Sequence, residues 1–253
     1  MKEKLIVCMV ALLMLLGCKS SQTADSESKT ETKRFKEESF DPFFKGLGTE
    51  PFWSVAVDRN FIVYTNVEGM KEIFPVTGFT GTGDKGPRIL TSRNAGYEIR
   101  LSVVKGKCSD GMSDQVFDYE VAVSLTGKGP AIQQKGCGNY QVTKGMEGKW
   151  ELSFFKDKEI PDNRFLKTPY VEFGSEGKHV SGNASCNGFN GTVTLNDSTM
   201  QFSKFAVTRM MCVHENMEQE FLSELSKVTA YEITAEGLNM YSGNTLTMKF
   251  RKK

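Results

Sequence analysis

The feature that most constrains the fold is a period of two in the apolar residues. Tyr97-Glu98-Ile99-Arg100-Leu101-Ser102-Val103 alternates apolar and polar side chains, which places one set on one face of a strand and scatters it around a helix. The stretch that follows does the same, with Phe117, Tyr119, Val121, Val123 and Leu125 on one face. Earlier, residues 52–57, a turn at Asp58-Arg59-Asn60 and residues 61–64 read as a hairpin. Four glycines between Gly78 and Gly86 read as a loop. Helical periodicity is nearly absent here, so residues 46–142 are predicted to form a small β-sandwich or barrel.

A second β-rich unit is predicted over residues 148–251, opening at Gly148-Lys149-Trp150-Glu151-Leu152. Strands are expected at 169–173, 178–183, 191–195, 200–203, 231–235, 238–241 and 245–250. After Cys212 the period changes. Met217, Phe221, Leu225 and Val228, with Leu222 alongside, form one helical stripe, and Glu215, Glu218, Glu220 and Glu224 are interleaved with it. This spacing predicts an amphipathic helix with acidic groups near its positive end, packed on the sheet. An acidic polar face is wrong for anionic lipid. The expected class is mainly β with one long helix, α+β.

The front of the chain is of another kind. Met1-Lys2-Glu3-Lys4 precedes an apolar run from Leu5 to Leu16, too short for the ~20 residues that cross a bilayer. It ends in Leu15-Leu16-Gly17-Cys18, which looks like a bacterial lipobox. Residues 1–17 are therefore expected to be a lipoprotein signal peptide, with Cys18 the lipid attachment site. Two kinds of acyl linkage on one cysteine give stable membrane anchoring. Residues 18–45 are assigned to the lipidated cysteine and a flexible tether, because the polar run from 19 to 40 buries too little apolar surface to offset ordering. Lys19, not Asp, follows Cys18, which in enterobacteria-like systems favours the outer membrane.

Charge and cysteine usage agree with that address. The chain has 32 Lys and Arg against 31 Asp and Glu, and removing Lys2, Glu3 and Lys4 leaves the two balanced. A nucleic-acid partner would demand a basic excess. Beyond Cys8 and Cys18, four cysteines remain: Cys108, Cys137, Cys186 and Cys212. An even number outside the cytoplasm suggests disulfides. Three pairings are possible, and 108–137 with 186–212 keeps each bridge within one half of the chain. The absence of a C-x-x-C motif speaks against a thioredoxin-like redox site.

Two resemblances follow from particular residues. Trp150-Glu151-Leu152, Val180-Ser181-Gly182, Cys186-Asn187-Gly188-Phe189-Asn190-Gly191 and Thr208-Arg209-Met210-Met211-Cys212, followed by a helix with Glu220, resemble the META domain of HslJ-like proteins. The resemblance implies a compact α+β fold, an antiparallel sheet with one long helix, and a link to envelope stress. Ala184-Ser185 before Cys186 departs from the glycine frequent there. Gly48-Thr49-Glu50-Pro51-Phe52-Trp53-Ser54, Cys108-Ser109-Asp110-Gly111-Met112-Ser113-Asp114 and Gly136-Cys137-Gly138 resemble a small envelope domain that accompanies META in bacterial lipoproteins. Neither resemblance implies an enzymatic reaction.

The constellations that carry chemistry read more plainly as structure. Met210-Met211-Cys212-Val213-His214 offers soft ligands of the Cu(I) type, but Cys212 has a disulfide partner available and methionine commonly fills cores. Asp110 and Asp114 flank a Gly turn in the manner of a calcium loop, yet further acidic ligands are lacking and Asp, Ser and Gly are ordinary turn formers. Phe52 and Trp53 point to opposite faces of an extended strand, so one of the pair is free to contact a ligand. Asn183, Asn190 and Asn196 match the glycosylation sequon and are read as turn residues. With His179 and His214 the whole histidine complement, no Ser-His-Asp spacing emerges.

The expectation is a non-enzymatic outer-membrane lipoprotein, a binding or structural module of the bacterial envelope with no catalytic, metal or cofactor residues. Its partners are the membrane, through the lipid anchor, and an envelope protein or small ligand, not nucleic acid. Trp53, Asp110 and Asp114 are the expected contacts, and Cys108, Cys137, Cys186 and Cys212 the disulfide residues. The alternative is a carrier or sensor of metal or small hydrophobes, with a cavity inside the first unit.

Overall fold

The computed structural model describes residues 34–80, 86–112, 114–160, 163–175, 178–212 and 216–253. The expected signal peptide, Cys18 and the tether up to residue 33 lie outside these, as do Ser113, His214 and Glu215.

The first sheet has eight strands: β1 (Phe44–Thr49), β2 (Phe52–Val57), β3 (Phe61–Asn66), β4 (Lys71–Pro75), β5 (Arg88–Arg93), β6 (Tyr97–Ser109), β7 (Val116–Gly127) and β8 (Ile132–Tyr140). Their order is β4-β3-β2-β1-β8-β7-β6-β5, antiparallel throughout. Two four-strand meanders are thus joined where β1 meets β8. The alternation sets the register: Ile99, Leu101 and Val103 of β6 stand opposite Leu125, Val123 and Val121 of β7, and all six are buried. Side chains facing each other across a ladder are the unit of sheet stabilisation. The sheet curls until its edges meet. Ser92 Oγ donates to the Pro75 carbonyl at 2.5 Å and Asn94 Nδ2 to the Ile73 carbonyl at 3.2 Å. The interior is filled by Phe44, Ile62, Tyr64, Phe74 and Leu90, each without exposed area, and Tyr64 places its hydroxyl on Gln134 Oε1 at 2.6 Å.

The second sheet comprises β9 (Gly148–Phe155), β10 (Lys158–Glu159), β11 (Tyr170–Phe173), β12 (His179–Asn183), β13 (Gly188–Leu195), β14 (Met200–Val207), β15 (Ala230–Ile233), β16 (Leu238–Ser242) and β17 (Thr245–Lys252). Its order is β14-β13-β12-β11-β9-β17-β16-β15, with β10 paired to β9. This sheet curls as well: the Met200 amide reaches the Thr229 carbonyl and the Tyr231 amide the Ser198 carbonyl.

The expectation of one long helix is overturned. Helix α1 runs only from Glu218 to Ser226, nine residues. Met217 is its N-cap and Lys227 its C-cap, so the stripe from Met217 to Val228 overruns both ends. Val228 is buried, but its amide closes a tight turn onto Leu225 and Thr229 already bonds to Tyr241. Burial in the core, not helical geometry, put an apolar residue at 228. Inside the helix Phe221 and Leu225 are fully buried, with Phe221 against Phe155, Phe165, Phe189 and Phe250.

The folded structure includes residues before 46. A 3-10 turn spans Glu37–Ser39, Phe35 packs on Phe40 and Phe61, and Phe43 and Phe44 are buried. Averaged composition hid these four phenylalanines inside a polar stretch. Asp41 accepts the amides of Lys144 and Gly145 at 2.8 and 2.9 Å, which fixes the short join between the sheets. Direct contacts across the join include Arg88 with Asp197 at 2.5 Å and Lys178 with Asp118 at 3.1 Å.

Candidate functional site

Three segments far apart in sequence meet around one cleft of the first sheet. The first is the β1–β2 connection. Gly48 stands directly opposite Trp53, and a Cβ on Gly48 would lie 2.1 Å from the indole Nε1, so only glycine leaves room for the ring. Trp53 is consequently 4 % exposed and part of the core, whereas Phe52 is 53 % exposed. Phe52, not Trp53, is thus the member of the pair that faces solvent, as the alternation of strand side chains requires.

The second segment is the turn after β6. Asp110 Oδ1 accepts the Met112 amide at 3.1 Å and Ser109 Oγ the Gly111 amide at 3.2 Å, while Gly111 has φ of 73°. These are turn-forming roles, so the Asp110 carboxylate shapes the loop; Asp114 stands exposed beyond it. The third segment is Gly136-Cys137 of β8. A Cβ on Gly136 would lie 1.9 Å from the Leu47 carbonyl oxygen, so β1 and β8 approach closely only because that side chain is absent.

Two links lock the three together. The Cys108–Cys137 disulfide ties the end of β6 to β8, and Thr49 Oγ donates to the Asp110 carbonyl at 3.1 Å. Between them opens a cleft of about 480 Å³ whose polar walls include Thr49, Glu50, Ser109, Asp110, Glu120 and Lys135, over Ser102 and Ala122. Three carboxylates against one ammonium make it acidic. Phe52, Val67, Met112 and Val116 are the large exposed hydrophobics among the described residues of the first sheet. All four sit on or beside the segments that line the cleft: Phe52 follows Glu50 by two residues and its carbonyl accepts the Val67 amide, Met112 closes the Asp110 turn, and Val116 pairs with Ser109.

The second sheet repeats the theme. Cys186 is bonded to Cys212, and Asn187, buried beside the bridge, is its hub. Its Nδ2 donates to Glu218 Oε1 at 2.9 Å, and its Oδ1 accepts from Thr208 Oγ at 2.9 Å and the Met210 amide at 2.7 Å. Glu218 Oε2 holds the amides of Cys186 and Asn187 at 3.0 and 2.5 Å. Ser185, with φ of 143°, accepts the Leu166 amide at 2.8 Å. Leu166, Met210 and Met211 are exposed around this end, Met211 at 95 %.

Among the described residues the group able to offer a metal three ligands is Cys186, Cys212 and Glu218. Its sulfurs are joined to each other and its carboxylate already serves two amides and Asn187, so the soft-ligand reading of residues 210–214 loses its thiolate. Asn183 and Asn196 accept amides two residues on, from Ser185 and Ser198, as turn residues do. His179 is exposed on β12.

The three motifs of the first site, Glu50 among them, are visible in the sequence; Glu120 and Lys135 are not, because they enter through strand register alone. Glu218 was read as serving the helix dipole; its position one residue after the N-cap is the signal that it faces a neighbouring loop.

Comparison with known proteins adds one result. No curated protein and no solved structure matches the chain. Residues 138–253 match the family model described as META domain, a span that takes in the end of β8, the join and the whole second sheet.

Proposed function

With residues 138–253 a META domain, we propose that the chain is a non-enzymatic, lipid-anchored binding module of the bacterial cell envelope, held at the outer membrane through Cys18. It grips a partner protein at the acidic cleft beside the Cys108–Cys137 bridge of the first sheet. The observation that carries this reading is the convergence of Thr49-Glu50, Cys108–Asp110 and Gly136-Cys137 on one acidic cleft, with the exposed Phe52 and Met112 each two residues along the chain from a carboxylate of its wall, Glu50 and Asp110. Apolar anchors beside satisfied polar groups are the pattern of a docking surface. The walls suit a partner segment that offers a Lys or Arg beside an apolar side chain.

Two features support the location. Two disulfides in one chain fit an oxidising compartment, and residues 5–18 have the order of a lipoprotein signal. The alternative, a carrier of small hydrophobes, needs an interior cavity. The interior of the first sheet is instead packed with aromatic and aliphatic side chains that have no exposed area.

Affinity capture from solubilised envelope, comparing the wild-type chain with the Phe52→Ser/Met112→Ser variant, tests the reading. A protein retained by the wild type at low salt and released by the double variant is expected. Equal retention by both chains contradicts the proposed surface. Loss of acyl labelling and of membrane association in Cys18→Ser tests the anchor.

A further inference from the structure

We infer that the groove between the two curled sheets is a second, independent site, built for a small anionic polyol of the sugar-phosphate class. Two adjoining clefts of about 300 and 450 Å³ share Lys105, Tyr119, Tyr140, Thr194 and Leu195 as walls, and so form one groove. It contains none of the residues that line the acidic cleft.

Tyr140 is the observation that points to a ligand. It is 8 % exposed, borders both parts of the groove, and its hydroxyl has no hydrogen-bond partner. Its ring is fixed, stacked on Phe43 and edge-on to Phe44 and Tyr119, so it cannot swing out to water. A buried phenol is expected to have a partner, and an oxygen-rich ligand would supply one.

Charge selects the class. Lys107 and Lys178 both bind Asp118, at 2.6 and 3.1 Å, so two ammonium groups share one carboxylate. Arg88 is matched by Asp197. Lys105 borders both parts of the groove and forms no ion pair among the described residues. The groove therefore keeps an excess of positive charge carried by lysines, which bind phosphate as point charges. Thr192, Thr194, Asn196, Thr199 and Gln201 line the opposite wall and offer hydroxyl and amide groups to a polyol.

Isothermal titration of the full chain in detergent with glucose 6-phosphate, glucose and inorganic phosphate tests this. Saturable binding of glucose 6-phosphate at one site is expected, at least about tenfold tighter than either fragment, since one tenfold step is the scale of a single good polar contact. Tyr140→Phe keeps the ring, and is expected to weaken binding about tenfold while leaving the melting temperature unchanged or raised. Lys105→Glu is expected to weaken the sugar phosphate and not glucose. No saturable binding of glucose 6-phosphate, equal affinity for glucose or for inorganic phosphate, or unchanged affinity in either variant overturns the inference.

Discussion

The hydroxyl of Thr49 donates to the carbonyl of Asp110 across 61 positions of sequence, at 3.1 Å. One bond thereby joins the last residue of β1 to the loop after β6, the two segments whose motifs are most distinctive in the chain. Because Thr49 ends its strand and Asp110 lies in a turn, this bond holds the mouth of the acidic cleft while the ladders hold its floor.

Replacing Thr49 with Val removes the donor and keeps the shape. A part-buried neutral hydrogen bond contributes about 1 kcal/mol net, so the urea midpoint is expected to fall by that equivalent. Amide exchange is expected to speed up at Gly111 and Met112 and to stay unchanged in β7. Uniform acceleration across the sheet would contradict a local latch.

The disulfides close loops with sequence separations of 29 and 26. Chain-entropy arguments give each roughly 3–4 kcal/mol. The Cys108→Ser/Cys137→Ser and Cys186→Ser/Cys212→Ser pairs are each expected to lose about that much in chemical denaturation. Their effects are expected to add, because the bridges lie in different sheets and share no partner.

Asn187 satisfies the Thr208 hydroxyl and the Met210 amide while donating to Glu218. Asn187→Ala leaves buried groups without partners, and is expected to cost roughly 2–4 kcal/mol. It should also loosen the exposed Met210-Met211 segment, read as faster proteolytic cleavage there. A loss below about 0.5 kcal/mol in equilibrium denaturation would show that the hub is not structural.

Much of this was legible in the sequence, and the misses have causes. Period two gave β6 and β7 with the correct faces because both strands have one buried side, and the hairpin of β2 and β3 follows from the turn at Asp58. The helix was overestimated because Met217 and Val228 are apolar for reasons of core burial, which periodicity does not distinguish from helical register. Phe52 and Trp53 were separable into opposite faces, but choosing between them required Gly48 opposite the indole, a cross-strand fact. Glu50 and Asp110 stand in motifs visible in the sequence, but their meeting with Glu120 in one acidic wall is not, since nothing in the sequence brings the β1–β2 turn and the loop after β6 together over β7.

Glu224 provides a pH dependence. Burial alone would raise its carboxyl, but Lys227 at 2.8 Å and Lys156 at 3.5 Å outweigh that and hold it below its ordinary 4.5. A depressed carboxyl stabilises the fold above the unfolded pKa, and the contribution is lost as pH falls through the folded one. The stability difference between wild type and Glu224→Gln is therefore expected to be constant near neutrality and to shrink below about pH 4.5. A difference that grew on acidification would reverse the sign.

Site-specific photocrosslinking in intact envelopes tests the central claim most directly. The full chain carries the photoreactive residue in place of Phe52, of Met112, or of Lys128, which sits on the β7–β8 turn and lines no part of the cleft. The account expects one shared adduct from positions 52 and 112, lost when Glu50→Lys is added, and none from 128. The same adduct from position 128, or none from 52 and 112, would contradict it.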